Sequence, residues 1–325
     1  MVSRAWSTLK FIPFLMLLLF NTAGKPLQIA SGERTGICQA AYGDGQPSVP
    51  DWLEPAQFNM NLSTNLRYDL LAGNLLRTGL VDGSNCPAGG LNADGSPDAC
   101  GIALAWDESM TWQNQYDALI LVTAQTYDLP PKVLKALIGV ESQFWPASNW
   151  RTGEIGLGQM TEMGADMLLT WHTESYQRIC RRAFGLDGCD VAYHELDFAN
   201  QRILRGFVLQ EIDATCPICP GGVDPAKADR SIQLLAETLQ ASCLQTASLV
   251  WEYSGKQPAA LMSYEDYWRL VLANYHSGAG CTLQAISQLK MQQTGWAWRN
   301  IANQYAGGCA SGAIYIRRIE EQIKP

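Results

Sequence analysis

The sequence of 325 residues predicts a mainly α-helical protein, on two observations. From Trp112 onward apolar residues return at spacings of three and four, the period of one face of a helix. No segment alternates apolar and polar residues over the length a half-buried strand needs, and there are no internal repeats or low-complexity tracts. About two hundred residues in this pattern suffice to bury one hydrophobic core.

The opening segment reads as an export signal. Arg4 and Lys10 frame the start of an apolar run from Phe11 to Phe20, and the small residues Thr22, Ala23 and Gly24 follow, which assigns residues 1–24 to a signal peptide. That apolar run is too short to cross a bilayer as a helix, and no later stretch is both long and uncharged. The mature protein is therefore expected to have no membrane span and to be periplasmic or extracellular.

Residues 25–111 are rich in Gly, Asn, Asp and Pro and read as an irregular, disulfide-tied N-terminal leader, with one amphipathic stretch from Asn65 to Thr78. Asn92, Asp94, Ser96 and Asp98 alternate as in a calcium loop, but the spaced glutamate is missing, so Asx turns are expected there and no metal site. Residues 112–325 are expected to form the helical domain. Helices are predicted over 114–128, 132–144, 162–172, 197–211, 226–251 with a break, 264–275, 282–291, 298–305 and 313–322. Residues 172–225 read as a cysteine-rich insertion.

Ten cysteines in an exported chain read as disulfides, with Cys86–Cys100, Cys180–Cys189 and Cys281–Cys309 the expected local closures. Cys216 and Cys219 have the spacing of a redox pair or half a zinc site. No second CxxC and no spaced histidine pair accompanies them, and the flank is rich in Pro and Gly, so a structural disulfide is the default. A net charge of −8 with thinly spread Lys and Arg argues against nucleic acid as a partner. Neither a cofactor nor a metal is expected, and a monomer is.

The chemistry centres on Glu141. After Pro130 and Pro131, Leu134, Leu137, Ile138 and Glu141 share one helical face, so the stripe that enters the core ends in an acid. Burial of a carboxylate favours its protonated form and so creates a proton donor in a cleft, the group that glycosidic cleavage requires. Phe144 and Trp145 follow within a turn, as expected at a cleft edge, and Trp145 and Trp150 have faces suited to stacking on sugar rings.

Three segments in order carry a resemblance: Glu141-Ser142, the turn GEIGLGQMT from Gly153 to Thr161, and ANYHSGAG from Ala273 to Gly280. They resemble the catalytic domain of the soluble lytic transglycosylases, which has a Glu-Ser pair, a Gly-Leu-Met-Gln loop and an Ala-Tyr-Asn-Ala-Gly turn. The resemblance covers roughly residues 112–320 and implies a lysozyme-like fold. Gly158 stands where that family has methionine, and His276-Ser277 where it has Asn-Ala. The second and third segments are about a hundred residues apart, longer than the family pattern, with five cysteines between them, read as an insertion folded over the cleft.

What the resemblance implies is cleavage of the β-1,4 bond between N-acetylmuramic acid and N-acetylglucosamine in peptidoglycan, leaving a 1,6-anhydro end. Glu141 would act first as acid and then as base, with substrate assistance replacing a second carboxylate. By the same carry-over Tyr275 orients Glu141 through a hydrogen bond, and Ser142, Gln143, Trp145, Gly156, Leu157, Gln159 and Asn274 contact saccharide. His276 is set aside as structural. Two other readings stand beside this one. A hydrolase similar to goose-type lysozyme would need a second carboxylate, from Glu154, Glu162 or Asp166. A non-catalytic peptidoglycan-binding protein would keep the cleft and not use the acid.

Overall fold

The computed structural model describes residues 36–44, 48–58, 60–146, 148, 152–185 and 188–323. The expected signal peptide and Trp150 lie outside them. The described residues fall within one unit and are mainly helical, as expected, with no strand among them beyond three isolated antiparallel bridges. The α-helices in chain order are α1 (Ile37–Tyr42), α2 (Asp69–Arg77), α3 (Ala99–Leu104), α4 (Trp106–Asn114), α5 (Asp117–Tyr127), α6 (Pro131–Ser142) and α7 (Glu162–Trp171). They continue with α8 (Thr173–Phe184), α9 (Phe198–Ile212), α10 (Pro225–Ser254), α11 (Tyr264–Gln292), α12 (Trp298–Ala302) and α13 (Ser311–Ile323).

The axis of the fold is α10. Asp224 caps its start by accepting from the Ala226 and Lys227 amides, Pro225 takes the first helical position, and Gly255 ends it in the left-handed conformation. Its 30 residues run without the break expected near 226–251, about 45 Å of helix at 1.5 Å per residue. It packs against α1, α5, α7, α9 and α11. The predicted helices 264–275 and 282–291 are one element, α11, bent at Gly278 (φ 81°, ψ 166°). No side chain with a Cβ adopts that conformation readily. The third motif segment is thus a kink inside a helix.

Residues 36–111 are less irregular than expected. They carry α1 to α3 and the start of α4, and the expected boundary at 111/112 falls inside α4. Cys38, Tyr42, Leu53, Tyr68, Leu71 and Leu75 join the main core with Leu134, Leu137, Ile138, Trp268 and Leu272. Burying each such leucine or isoleucine contributes roughly 1.5–3 kcal/mol. Asp94 accepts from the Ser96 amide and hydroxyl, and Asp98 caps α3, so the alternating acids form local turns.

The cysteine-rich segment 172–225, expected as an insertion, contains a helix that the sequence did not predict, α8. Its apolar stripe is only Tyr176, Ile179 and Cys180, and its start is capped by His172 in place of the usual Ser, Thr, Asp or Asn. With α7 and α9 it forms a second core that includes Leu168, Leu169, Val208 and Leu234. All ten cysteines are paired: the three expected closures, Cys216 with Cys219, and Cys38 with Cys243. No helix among the described residues is long and apolar enough to cross a membrane.

Candidate functional site

The site is built where α13 meets the C-terminal end of α6 and the middle of α11, to which the turn 155–160 is tied. Glu141 lies in the last turn of α6, its side chain 15 % exposed at the end of a face on which Leu134, Leu137 and Ile138 are fully buried. The helix ends because Gln143 and Phe144 both take positive φ (49° and 63°), which turns the chain sharply beside the acid. Phe144 itself is buried, so the turn is anchored by a ring in the core.

The second segment is a tight turn closed by an antiparallel pair, Ile155 with Met160. Its backbone is pinned from within and without. Gln159 donates its side-chain amide to the Gly156 carbonyl at 2.8 Å, and Ser231 of α10 accepts from the Leu157 amide at 2.8 Å. Gly156 sits at φ +74°, and a Cβ there would lie 2.5 Å from Ser231 Oγ and 3.0 Å from the Ile212 carbonyl oxygen. The end of α9 therefore abuts the turn. A Cβ on Gly158 would meet Leu235 Cδ1 at 2.8 Å and the Tyr275 hydroxyl at 3.1 Å. That close approach is the use of glycine at position 158.

From α11, the Tyr275 hydroxyl donates to the Gly158 carbonyl at 2.6 Å. The expected hydrogen bond from Tyr275 to Glu141 is thus replaced by one to the turn, since a phenol has one proton to give. Tyr275 still feels the acid: burial first and the Glu141 charge second push its pKa well above the ordinary tyrosine value. His276 Nδ1 lies 3.9 Å from Glu141 Oε1, and the His276 ring stacks on Tyr315 of α13 with centroids 4.2 Å apart and an interplanar angle of 8°. Tyr315 is buried, and burial first, then the charges of Glu141 and Tyr275 and a hydrogen-bonding approach of its hydroxyl to Glu141, push its pKa well above the ordinary tyrosine value.

Several expected saccharide contacts are placed elsewhere. Ser142 is 2 % exposed and returns its hydroxyl to the Ile138 carbonyl. The Gln143 side chain accepts from the Leu70 amide at 2.8 Å, which fixes the start of α2. Trp145 is 9 % exposed and stacks on Trp112, centroids 5.3 Å apart. Asn274 is fully buried against α10, donating to Gln245 Oε1 at 2.9 Å, and the Leu157 side chain is in the main core. A backbone group claims Ser142 and Gln143, an aromatic face Trp145, neighbouring side chains Asn274 and the apolar core Leu157, and helix spacing alone does not reveal such claims. Glu141, Tyr275 and the backbone of Gly156 to Gln159 are the predicted residues that do converge.

The acids weighed as a second carboxylate have partners of their own. Asp166 accepts from Tyr193 and Arg205, Glu162 is exposed and 3.9 Å from Arg205, and Glu154 accepts from the Thr152 hydroxyl at 2.6 Å. Sequence reasoning did not single out Tyr315 and set His276 aside; their sequence signal is weak, because their partnership with Glu141 joins three separate helices. No group of side chains among the described residues could hold a metal ion. No protein-family model, curated protein or solved structure matches the chain.

Proposed function

We propose that the protein is a lytic transglycosylase that cleaves the β-1,4 bond between N-acetylmuramic acid and N-acetylglucosamine in exported cell-wall peptidoglycan. The observation that carries this reading is the meeting of the three motif segments at one carboxylate. Glu141 lies beside His276, and Tyr275 binds the turn at Gly158. Glu141 is mostly enclosed but reaches solvent, as a proton donor to a bound glycosidic oxygen must. After the leaving group departs as an alcohol, the resulting carboxylate takes the proton from the muramyl 6-hydroxyl. That oxygen closes on the anomeric carbon and leaves the anhydro end, with the substrate N-acetyl group in place of a second acid. A lysozyme-like arrangement of the helices and a place outside the cytoplasm belong to the same proposal, and the five disulfides support the latter.

The test is mass spectrometry of soluble products after the purified protein meets peptidoglycan, beside a Glu141→Gln control. Anhydromuropeptides from the native protein alone are expected. Reducing muropeptides would make it a hydrolase and turn attention to Glu154. No products at all, with retained binding, would make it a peptidoglycan-binding protein.

A further inference from the structure

A cavity of about 380 Å³ opens where α8, α9 and the first turns of α10 meet, lined by Arg182, Phe207, Gln210, Glu211, Lys227 and Arg230. Three cations face one carboxylate there, a formal excess of two positive charges in a chain whose net charge is −8. Gathering like charges round one space is unfavourable, and an anion that enters it is attracted.

Glu211 holds the cations in place. Its side chain is 8 % exposed and accepts from Arg230 Nε at 3.1 Å and Nη2 at 3.0 Å, while Arg182 Nη1 lies 2.6 Å from its other oxygen. Arg230 is fixed further by donating to Gln233 Oε1 at 2.9 Å, and the Arg182 guanidinium stands over the Phe207 ring, 5.7 Å from its centroid. Both guanidiniums are thus oriented before any ligand arrives. Among the described residues these ion pairs leave Lys227 without one, and Arg182, 54 % exposed, has Nε and Nη2 unspent. The Lys227 charge also reaches Asp213, whose Oδ1 accepts from the Ser148 hydroxyl and the Thr215 amide.

The same stretches of helix prop the turn that carries Gly156 to Gln159. Ile212, next to Glu211, presents its carbonyl to Gly156, and Ser231, next to Arg230, accepts from the Leu157 amide at 2.8 Å. Consecutive side chains on a helix point about 100° apart, so Arg230 and Ser231 serve the cavity and the turn from neighbouring faces of α10.

We infer that this cavity is a second binding site, for a carboxylate of the short peptide that peptidoglycan carries on its muramic acid, with Lys227 and Arg182 as the groups that take it. The inference rests on peptidoglycan as the substrate. A planar carboxylate suits the free edge of Arg182 as Glu211 suits that of Arg230. Phe207 offers an apolar wall to the methyl groups of such a peptide, and the Gln210 amide a partner for its backbone. A peptide branching from a saccharide on the turn has only to pass from one face of α10 to the next.

The test is calorimetric titration at low salt with three probes: a stem tetrapeptide with free carboxylates, the same peptide with its carboxylates amidated, and inorganic phosphate. The native protein is expected to bind the free peptide and to bind the amidated one about ten- to a hundredfold more weakly. The double variant Lys227→Gln with Arg182→Gln, which leaves Glu211 paired with Arg230, is expected to bind the free peptide as weakly as the native protein binds the amidated one. Equal affinity for the two peptides, no binding of either, or a folded variant that binds as the native protein does overturns the inference. Phosphate held more tightly than the free peptide overturns it too and makes the cavity a phosphate site. The amidated probe needs no variant, so it decides the matter even if the double substitution does not fold. None of the probes has a glycosidic bond. Peptide binding by a protein that leaves peptidoglycan intact therefore counts against the transglycosylase reading and not against the site, and anhydromuropeptide release by a protein indifferent to the peptide does the reverse.

Discussion

The Tyr275 hydroxyl and the Gly158 carbonyl, 117 positions apart in the chain, meet at 2.6 Å and tie the turn beside the acid to α11. Tyr275→Phe keeps the ring but leaves the Gly158 carbonyl without its donor. It should destabilise the protein by about 1–3 kcal/mol and lower the proposed peptidoglycan cleavage, read by urea unfolding and by product release. Unchanged cleavage would mean that the turn does not touch substrate.

The turn also separates two glycine effects. At Gly153 (φ +69°) an added Cβ meets nothing within 4 Å, so Gly153→Ala should cost only the left-handed backbone penalty of about 1–2 kcal/mol. Gly156→Ala adds contacts at 2.5 Å and 3.0 Å to the same penalty. Denaturant midpoints should therefore rank native, then Gly153→Ala, then Gly156→Ala. Equal losses would show that the loop moves away from Ser231 freely.

A buried carboxylate of α10 makes a pH prediction. Glu237 is fully buried in α10 and accepts from Tyr127 at 2.7 Å, Ser175 at 2.6 Å and Arg178 at 2.5 Å. Burial, the largest single influence, pushes its pKa up, but the hydrogen bonds from Ser175 and Tyr127 and the charge and hydrogen bond of Arg178 outweigh it and hold the pKa below the ordinary 4.5. A depressed folded value means stability that is present above about pH 4.5 and lost as pH falls through the folded pKa. Thermal unfolding should thus show an acid loss that is reduced in Glu237→Gln, which at pH 7 should be about 2–3 kcal/mol less stable.

The disulfides should differ in what their removal costs. Chain-entropy reasoning gives about 5 kcal/mol for Cys38–Cys243, 205 positions apart, and about 2 kcal/mol for Cys216–Cys219, three apart. Paired serine substitutions compared by chemical unfolding check this ordering. A smaller effect for Cys38→Ser with Cys243→Ser would mean that α1 already holds its place without the bond.

The α6 helix was legible because a proline start, an apolar stripe and an aromatic stop agree with one another over 131–142. Glu141 was legible for the same reason, as the polar residue that breaks its stripe. Side-chain destinations were not. The Gln143 amide could face a cleft or cap a neighbour, and it is the unpaired Leu70 amide, 73 positions away, that decides. Tyr315 and His276 were hidden for a related reason: each looks ordinary on its own helix, and their stacking comes from how α11 and α13 pack. The kink at Gly278 was read as a turn because a glycine after an apolar run marks a helix end, but here α11 resumes beyond it.

The bond from α1 to α10 also dictates an order of synthesis. Cys38 leaves the ribosome long before Cys243, and Cys86, Cys100, Cys180, Cys189, Cys216 and Cys219 all emerge in between. Its sulfur must stay unspent, or be released from a premature partner, until more than two hundred further residues have been made. Correct assembly is therefore expected to draw on an isomerase that reshuffles early pairings, and recombinant yield should depend on that helper more than on the supply of oxidant.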